Sequence, residues 1–206
     1  MQSFNEWFRY TFNTIGRDYK KHPIKIIDIG GVPDYWKYLN FDYFDHSHIT
    51  TLNMKSYEVP SDISGKVVSV KGTAINMSEY DDNTFDLAFS NSVIEHVGDY
   101  ENQKKMAEEM RRIATHGYLQ TPNRYFFMEP HFLVPFFQFL PVRVREELVY
   151  RFRLGHYPKA TTRDEARIMV DYVHLLTEAN LRSLFPNAEV FREKYKGFTK
   201  SFILRW

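Results

Sequence analysis

The chain of 206 residues contains no cysteine, which excludes disulfide staples, thiolate metal sites and thiol nucleophiles together. Long apolar runs are also missing. The longest, Phe132 to Val142, is interrupted by Pro135 and Pro141 and falls well short of the roughly 20 residues that span a bilayer. No apolar stretch of signal-peptide length precedes the first charges, so a cytoplasmic location is expected. Nor is there an excess of one charge sign. Twenty-seven Lys and Arg against 26 Asp and Glu leave a net charge of +1, too little for general capture of nucleic-acid phosphates. No repeat, low-complexity block or Gly/Ser/Pro linker divides the chain, so a single domain over residues 1–206 is expected.

Aromatic residues are abundant. At 17% of the chain, with 18 Phe and 14 Tyr, they suffice for a sizeable core and leave rings to line a pocket. The β-branched run Ile24 to Ile29 ends at Gly30 and Gly31 and reads as a buried parallel strand. Further strands are expected at Ile49 to Met54, Lys66 to Lys71, Phe85 to Ser90 and Gly117 to Gln120. Between the last two, a helix from Asp99 to Ala114 places Met106, Met110 and Ile113 on one face. Residues 126–160 mix Phe and Leu with Pro130, Pro135 and Pro141, then turn basic around Arg143 to Arg153; this segment reads as an inserted lid. Thr162 and Glu165 have capping-box spacing ahead of a helix carrying Ala166, Met169, Val170 and Val173, and Leu181 to Phe185 fits the start of another. The end of the chain alternates in period two around Lys196 and Gly197, the pattern of a terminal hairpin. Residues 1–22 read as an amphipathic helix with Phe4, Trp7, Phe8 and Phe12 on one side, suited to a lid, to packing on the sheet, or to peripheral contact with a membrane or partner. The expected class is therefore α/β: a three-layer α/β/α sandwich with a mostly parallel sheet and one antiparallel strand.

In an open α/β sheet, ligands bind beyond the carboxyl ends of the strands. After the first strand stand Asp28, Gly30 and Gly31, where missing side chains let a ligand approach the backbone, or simply make a tight turn. Val32 and Asp34 occupy positions where a dinucleotide fingerprint needs glycine, and no P-loop lysine follows, so pyrophosphate cofactors such as NAD are disfavoured. Asn53, after the second strand, suits a ribose diol or a plain loop. Thr73 and Ala74, after the third, leave room beside a flat ring or merely form a loop. The fourth strand region then runs Phe85, Asp86, Leu87, Ala88, Phe89, Ser90, Asn91, and on to Ile94, Glu95, His96 and Val97.

Taken together, these segments and Gly117 to Asn123 resemble class I S-adenosylmethionine-dependent methyltransferases over most of the chain. The resemblance implies a seven-stranded sheet with an antiparallel last strand and a helical insertion after the fifth. It also implies S-adenosylmethionine as cofactor, leaving S-adenosylhomocysteine as product, with Asp28, Gly30 and Gly31 at the amino-acid end, Asn53 at the ribose, Thr73 and Ala74 at the adenine and Ser90 at the methionine backbone. Asn53 and Thr73 are neutral where the family usually carries acids, which keeps open a cofactor-binding partner subunit without catalysis.

Methyl transfer needs alignment of the acceptor, exclusion of water and, for a protonated acceptor, a base. The candidates are His96, Glu129 and His131; the alternatives are a His96 that bonds neighbouring loops and a Glu129 that fixes its loop through Arg124. The apolar stripe from Phe126 to Pro141 is suited to closing a pocket or to core packing. Arg143, Arg145, Arg151 and Arg153 are suited to an anionic headgroup, phosphate or sugar carboxylate, or to solvation. A small-molecule or amphiphilic acceptor follows, lipid-linked or glycan acceptors included; nucleic acid is disfavoured. His46 and His48 lack a third ligand at a persuasive spacing, so no metal is expected.

Overall fold

The structure is a computed structural model that describes residues 6–9, 22–38 and 44–206. Seven strands, β1 (Ile24–Ile29), β2 (Ser47–Asn53), β3 (Val67–Lys71), β4 (Phe85–Asn91), β5 (Ala114–Pro122), β6 (Glu189–Tyr195) and β7 (Phe198–Arg205), form one sheet in the order β3-β2-β1-β4-β5-β7-β6. The helices are α1 (Pro33–Tyr38), α2 (Tyr100–Ile113), α3 (Val142–Arg151), α4 (Arg163–Asp171) and α5 (Glu178–Leu184). β1 pairs in parallel with β2 and β4, and β2 with β3. Gly117 and Trp206 exchange backbone hydrogen bonds of 3.0 and 3.3 Å, the signature of an antiparallel pair. The expected α/β class, with a mostly parallel sheet and an antiparallel last strand, is the one found.

β1 is central because it can be buried on both faces: Ile24, Ile26, Ile27 and Ile29 are wholly inaccessible, as a parallel strand covered by helices requires. Register brings Ile29 opposite Leu52 and Asn53 opposite Lys71. Gly30 then donates to the Leu52 carbonyl at 2.7 Å, and Gly72 to that of Asn53 at 2.9 Å. The carboxyl ends of these strands, and the loops that follow them, therefore share one edge.

By packing, the chain divides into two compact units. One comprises Met1–Asn91, Lys105–Leu119 and Arg205–Trp206; the other, Ser92–Lys104 and Gln120–Leu204. In the first, Phe89 stacks on Tyr118 with ring centres 5.4 Å apart, and Trp36 meets Phe89 edge-on at 5.4 Å. Trp7 lies 5.6 Å from Tyr118, and the Arg205 guanidinium sits over both of those rings. Residues 6–9 are helical, with Trp7 and Phe8 buried, so these two side chains belong to the core and are withheld from any membrane. The remaining face residues of the expected helix, Phe4 and Phe12, lie outside the described residues. Met106, Met110 and Ile113 of α2 are wholly buried as their spacing requires. Arg112 clasps the loop before β4, donating to the carbonyls of Tyr80 at 2.7 Å and Met77 at 3.0 Å.

The second unit has its own core of Phe132, Phe137, Val149, Ala160, Ala166 and Val170. The dense Phe and Leu stretch thus splits its duties: Phe132 and Phe137 are buried, whereas Leu133, Phe136 and Phe139 are exposed. Thr162 caps α4 by accepting from the Glu165 amide at 3.1 Å. At α5, Thr177 and Asn180 close a reciprocal capping box, which starts the helix three residues before the expected Leu181. Asn at N3 does there what Glu or Gln usually does. Replacing Thr177 with Ala should cost about 1 kcal/mol, measured as a lower urea midpoint with an unchanged slope.

Candidate functional site

The strand-end residues singled out from the sequence all belong to the first unit, at the ends of β1 to β4. Asp28 is wholly buried and accepts 2.8 Å from the Trp36 indole nitrogen. Burial pushes its carboxyl up to about 7, an effect the Trp36 hydrogen bond only partly opposes. Gly31 explains how the carboxyl fits, since a Cβ there would overlap the Asp28 carboxylate. Gly30 turns the chain with φ of 81°, a conformation glycine adopts freely. Asn53 donates to the Gly30 carbonyl at 2.9 Å, and its own oxygen accepts from the Met54 amide at 2.8 Å. Ser90 is buried and donates to the Ile29 carbonyl at 3.3 Å. Thr73 and Ala74 are half-buried, with Thr73 bridged to Asn76. Asp28, Asn53 and Ser90 therefore spend polar atoms on the loop itself and shape it, the Asp28 carboxyl takes the space beside Gly31, and Thr73 and Ala74 stay half-buried. Val32 and Met54 stand exposed beside them.

A second group lies wholly within the other unit. His96 sits in the 3-10 turn Ile94–His96, directly behind β4 in the chain, and Glu129 and His131 follow β5. Glu129 is 2% exposed and accepts three hydrogen bonds: Oε2 takes the amides of His131 at 2.8 Å and Phe132 at 2.6 Å, and Oε1 faces His131 Nδ1 at 2.7 Å. Loop and imidazole are fixed by one carboxylate. On its other side His131 Nε2 meets His96 Nε2 at 3.1 Å, and His96 Nδ1 faces the Tyr172 carbonyl at 3.3 Å. Tyr172 also stacks on the His96 ring at 4.7 Å. The salt link of Glu129 to Arg124 does not form; the carboxylate is taken by the loop.

The hydrogen count of this pair is informative. Glu129 and the Tyr172 carbonyl accept, so each Nδ1 carries a hydrogen. Two lone pairs would then face each other across 3.1 Å unless one further proton is shared between the Nε2 atoms. Burial, and next the neighbouring His131, push His96 down to about 4, so near neutral pH His96 is uncharged and its Nε2 keeps a lone pair toward His131. Glu95, next in the chain, is wholly buried. Its Oε2 accepts from Thr121 at 2.8 Å, its Oε1 has no partner, and burial pushes it up to about 7. Ligand-type atoms of Glu95, His96 and His131 lie within 4.8 Å of one another.

Glu129 also lines a cavity of about 320 Å³, together with Arg124, Phe132, Gln138, Arg145 and Leu176. Sequence reasoning singled out His96, Glu129 and His131, and the structure brings them into one chain of contacts. It overlooked Glu95, although that residue precedes His96, because burial and orphaning leave no trace in residue type. Tyr172, 76 positions away from His96, gave no local signal at all. His46 lies in a 3-10 turn and His48 on β2, away from this cluster in the chain.

A family profile described as a methyltransferase domain matches residues 35–119, a span holding Asn53, Thr73, Ala74, Ser90 and His96. No curated protein matches the sequence. Among solved structures, the chain is similar to a SAM-dependent methyltransferase from Methanosarcina mazei, at 15% identity over 89% of this chain and 91% of that one, with a TM-score of 0.52. It is also similar to magnesium protoporphyrin IX methyltransferase from Synechocystis PCC 6803, solved with bound SAH, at 11% identity over 99% and 81% of the chains and a TM-score of 0.52. A Rhodobacter sphaeroides structure assigned provisionally to the zinc-dependent alcohol dehydrogenases aligns at 10% identity over 89% and 83%, again with a TM-score of 0.52. At such identities structural likeness speaks for the fold, and the profile is what favours methyl transfer over hydride transfer.

Asp28 also makes stability depend on pH. Its folded value of about 7 exceeds the unfolded value of 3.8, so the stabilisation is full below about pH 4 and is lost as pH rises through 7. Melting temperature should fall between about pH 4 and 7, and Asp28→Asn should flatten that fall; a variant with the same slope would refute the assignment.

Proposed function

We propose that the chain is a class I, S-adenosylmethionine-dependent methyltransferase that moves a methyl group to an oxygen or nitrogen atom of a small-molecule, lipid-linked or glycan acceptor. When bound, the cofactor supplies a methyl group on a positively charged sulfur, already activated for in-line displacement. Asp28, Gly30, Gly31, Asn53, Thr73, Ala74 and Ser90 are the residues assigned to hold it. They fit adenosine, which brings no phosphate and so needs no pyrophosphate-binding turn: Ala74 is small and half-buried, and Val32 and Met54 are exposed apolar flanks.

The observation that carries the acceptor side is the relay from Glu129 through His131 to His96. A hydroxyl or ammonium-derived acceptor loses a proton as it is methylated, and the two imidazoles are set to take one up: the added proton turns two opposed lone pairs into an N–H···N bond. Glu129 holds the relay's orientation, as carboxylates do for catalytic histidines. Among the described residues, no helix is long and apolar enough to cross a membrane. Support for a lipid-linked acceptor comes instead from the exposed side chains of Leu133, Phe136, Phe139, Val142 and Val144, with Arg143 among them.

The proximity of Glu95, His96 and His131 favours a second reading, in which a divalent cation replaces the shared proton. The site's two nitrogens already have their outer atoms held, as metal-binding histidines usually do. Activity that disappears on dialysis against EDTA and returns with Zn²⁺ or Mg²⁺ would establish the cation; activity indifferent to EDTA would retain the proton relay.

His131→Ala and Glu129→Gln should each lower turnover by about 10²- to 10⁴-fold, followed as S-adenosylhomocysteine release over a panel of hydroxyl and amine acceptors. Calorimetric affinity for S-adenosylhomocysteine should stay unchanged in both. Cofactor binding with no turnover on any acceptor would point instead to a non-catalytic partner subunit, and loss of cofactor binding in these variants would contradict the division of roles.

A further inference from the structure

Arg124 and Arg145 line the same cavity as Glu129, and among the described residues neither guanidinium has a side-chain hydrogen bond or ion pair. Arg145 Nε is buried without an acceptor. Burial, and next the positive charge of Arg124, hold Arg145 below its usual pKa, while Glu146, Asp171 and Glu129 act against this from a distance. Arg145, partly buried with its Nε unpaired and the exposed Arg124 as a neighbouring cation, is a cost to the fold that an anionic ligand would offset.

The cavity also presents the opposite kind of orphan. Gln138 donates its amide nitrogen to the carbonyls of Arg124 at 2.9 Å and Phe126 at 2.7 Å. Those two acceptors fix which amide atom is the oxygen. That oxygen is buried and receives no hydrogen bond. One wall thus lacks an acceptor and another lacks a donor. A simple anion would satisfy the arginines and leave Gln138 unpaired; an alcohol would do the reverse. The volume of about 320 Å³ equals that of roughly ten water molecules and stands at the small end of ligand sites. Phe132, Phe137 and Leu176 on the lining lower the local polarity and strengthen charge-assisted bonds.

We infer that this cavity binds a small hydroxylated oxyanion, such as a sugar acid or sugar phosphate, with its anionic oxygens on Arg124 and Arg145 and a hydroxyl donating to Gln138. Resting on the acceptor-side reading above, this compound is the methyl acceptor or the part of it that the protein grips. The shared chemistry is an oxyanion beside a hydroxyl, and carboxylate and phosphate are its two sources.

Calorimetric titration of the full chain with D-glucuronate, D-glucose 6-phosphate, D-glucose and hexanoate tests the inference. At least one sugar anion should bind about tenfold or more tightly than both D-glucose and hexanoate, and the tighter of the two identifies the source. Arg145→Gln and Arg124→Gln should each weaken that binding by about tenfold or more. Arg145→Gln should also keep or raise the melting temperature, because it removes an uncompensated cation. Sugar anions that bind no better than glucose, that bind both variants unchanged, or that fail to bind at all would overturn the site. A lower melting temperature for Arg145→Gln would overturn it too, showing a structural cation. S-adenosylhomocysteine titrated into the same preparations distinguishes failure of the anion site from failure of the cofactor site: normal cofactor affinity without anion binding rejects this inference alone.

Discussion

A carboxyl group taken out of water must either find donors or give up its charge, and three such groups organise this protein. Glu129 finds three donors within its own loop and in doing so fixes the imidazole of His131. Asp28 finds one, from Trp36, and Glu95 one from a side chain, Thr121; burial pushes both up to about 7. The number of donors differs among the three. It also sets their work: one aims a histidine, one fills the space left by Gly31, and one remains with an unsatisfied oxygen beside two imidazoles.

The acceptor-side geometry combines short-range and long-range closure. Glu129, His131 and Phe132 lie within four residues, so their hydrogen bonds close with little loop entropy. His96 stands 35 positions before His131 and 76 before Tyr172, and its placement awaits the assembled unit. Gln103 reinforces it by donating to the carbonyls of Ile94 and His174 at 3.2 and 2.8 Å. The histidine pair is therefore made by tertiary structure from one locally built half and one that is not.

The fold was legible because its signals are periodic. Ile24 to Ile29 carries a buried parallel strand in an isoleucine-rich run broken only by Lys25 and Asp28, α2 shows its face at Met106, Met110 and Ile113, and the terminal hairpin alternates around Gly197. The strand-end residues follow from position alone, since any parallel strand delivers its carboxyl end to the same edge. What escaped the sequence is which polar atoms are already engaged. Asn53 and Ser90 look like free ligands in one dimension, yet their side chains bond Gly30 and Ile29. Trp7 and Phe8 fit a lid, the sheet or a membrane surface equally in one dimension, and burial places them in the core. Arg124 and Arg145 are 21 residues apart, and nothing in their local contexts announces a shared cavity.

Leu133 and Phe136 hold left-handed backbone conformations, with φ of 53° and 58°, though both carry bulky side chains that disfavour them by about 1–2 kcal/mol each. The bends are imposed by neighbours: Leu133 donates to the Glu129 carbonyl at 2.9 Å and Phe136 to that of Phe127 at 2.7 Å. The turn around the histidine is thus written in cross-links, with none of the glycine or asparagine that ordinarily signals such a bend. A segment of this kind does not graft: spliced into another scaffold without Phe127 and the surrounding packing, the same residues would straighten, and the imidazole would lose its aim although every side chain of the motif had been copied.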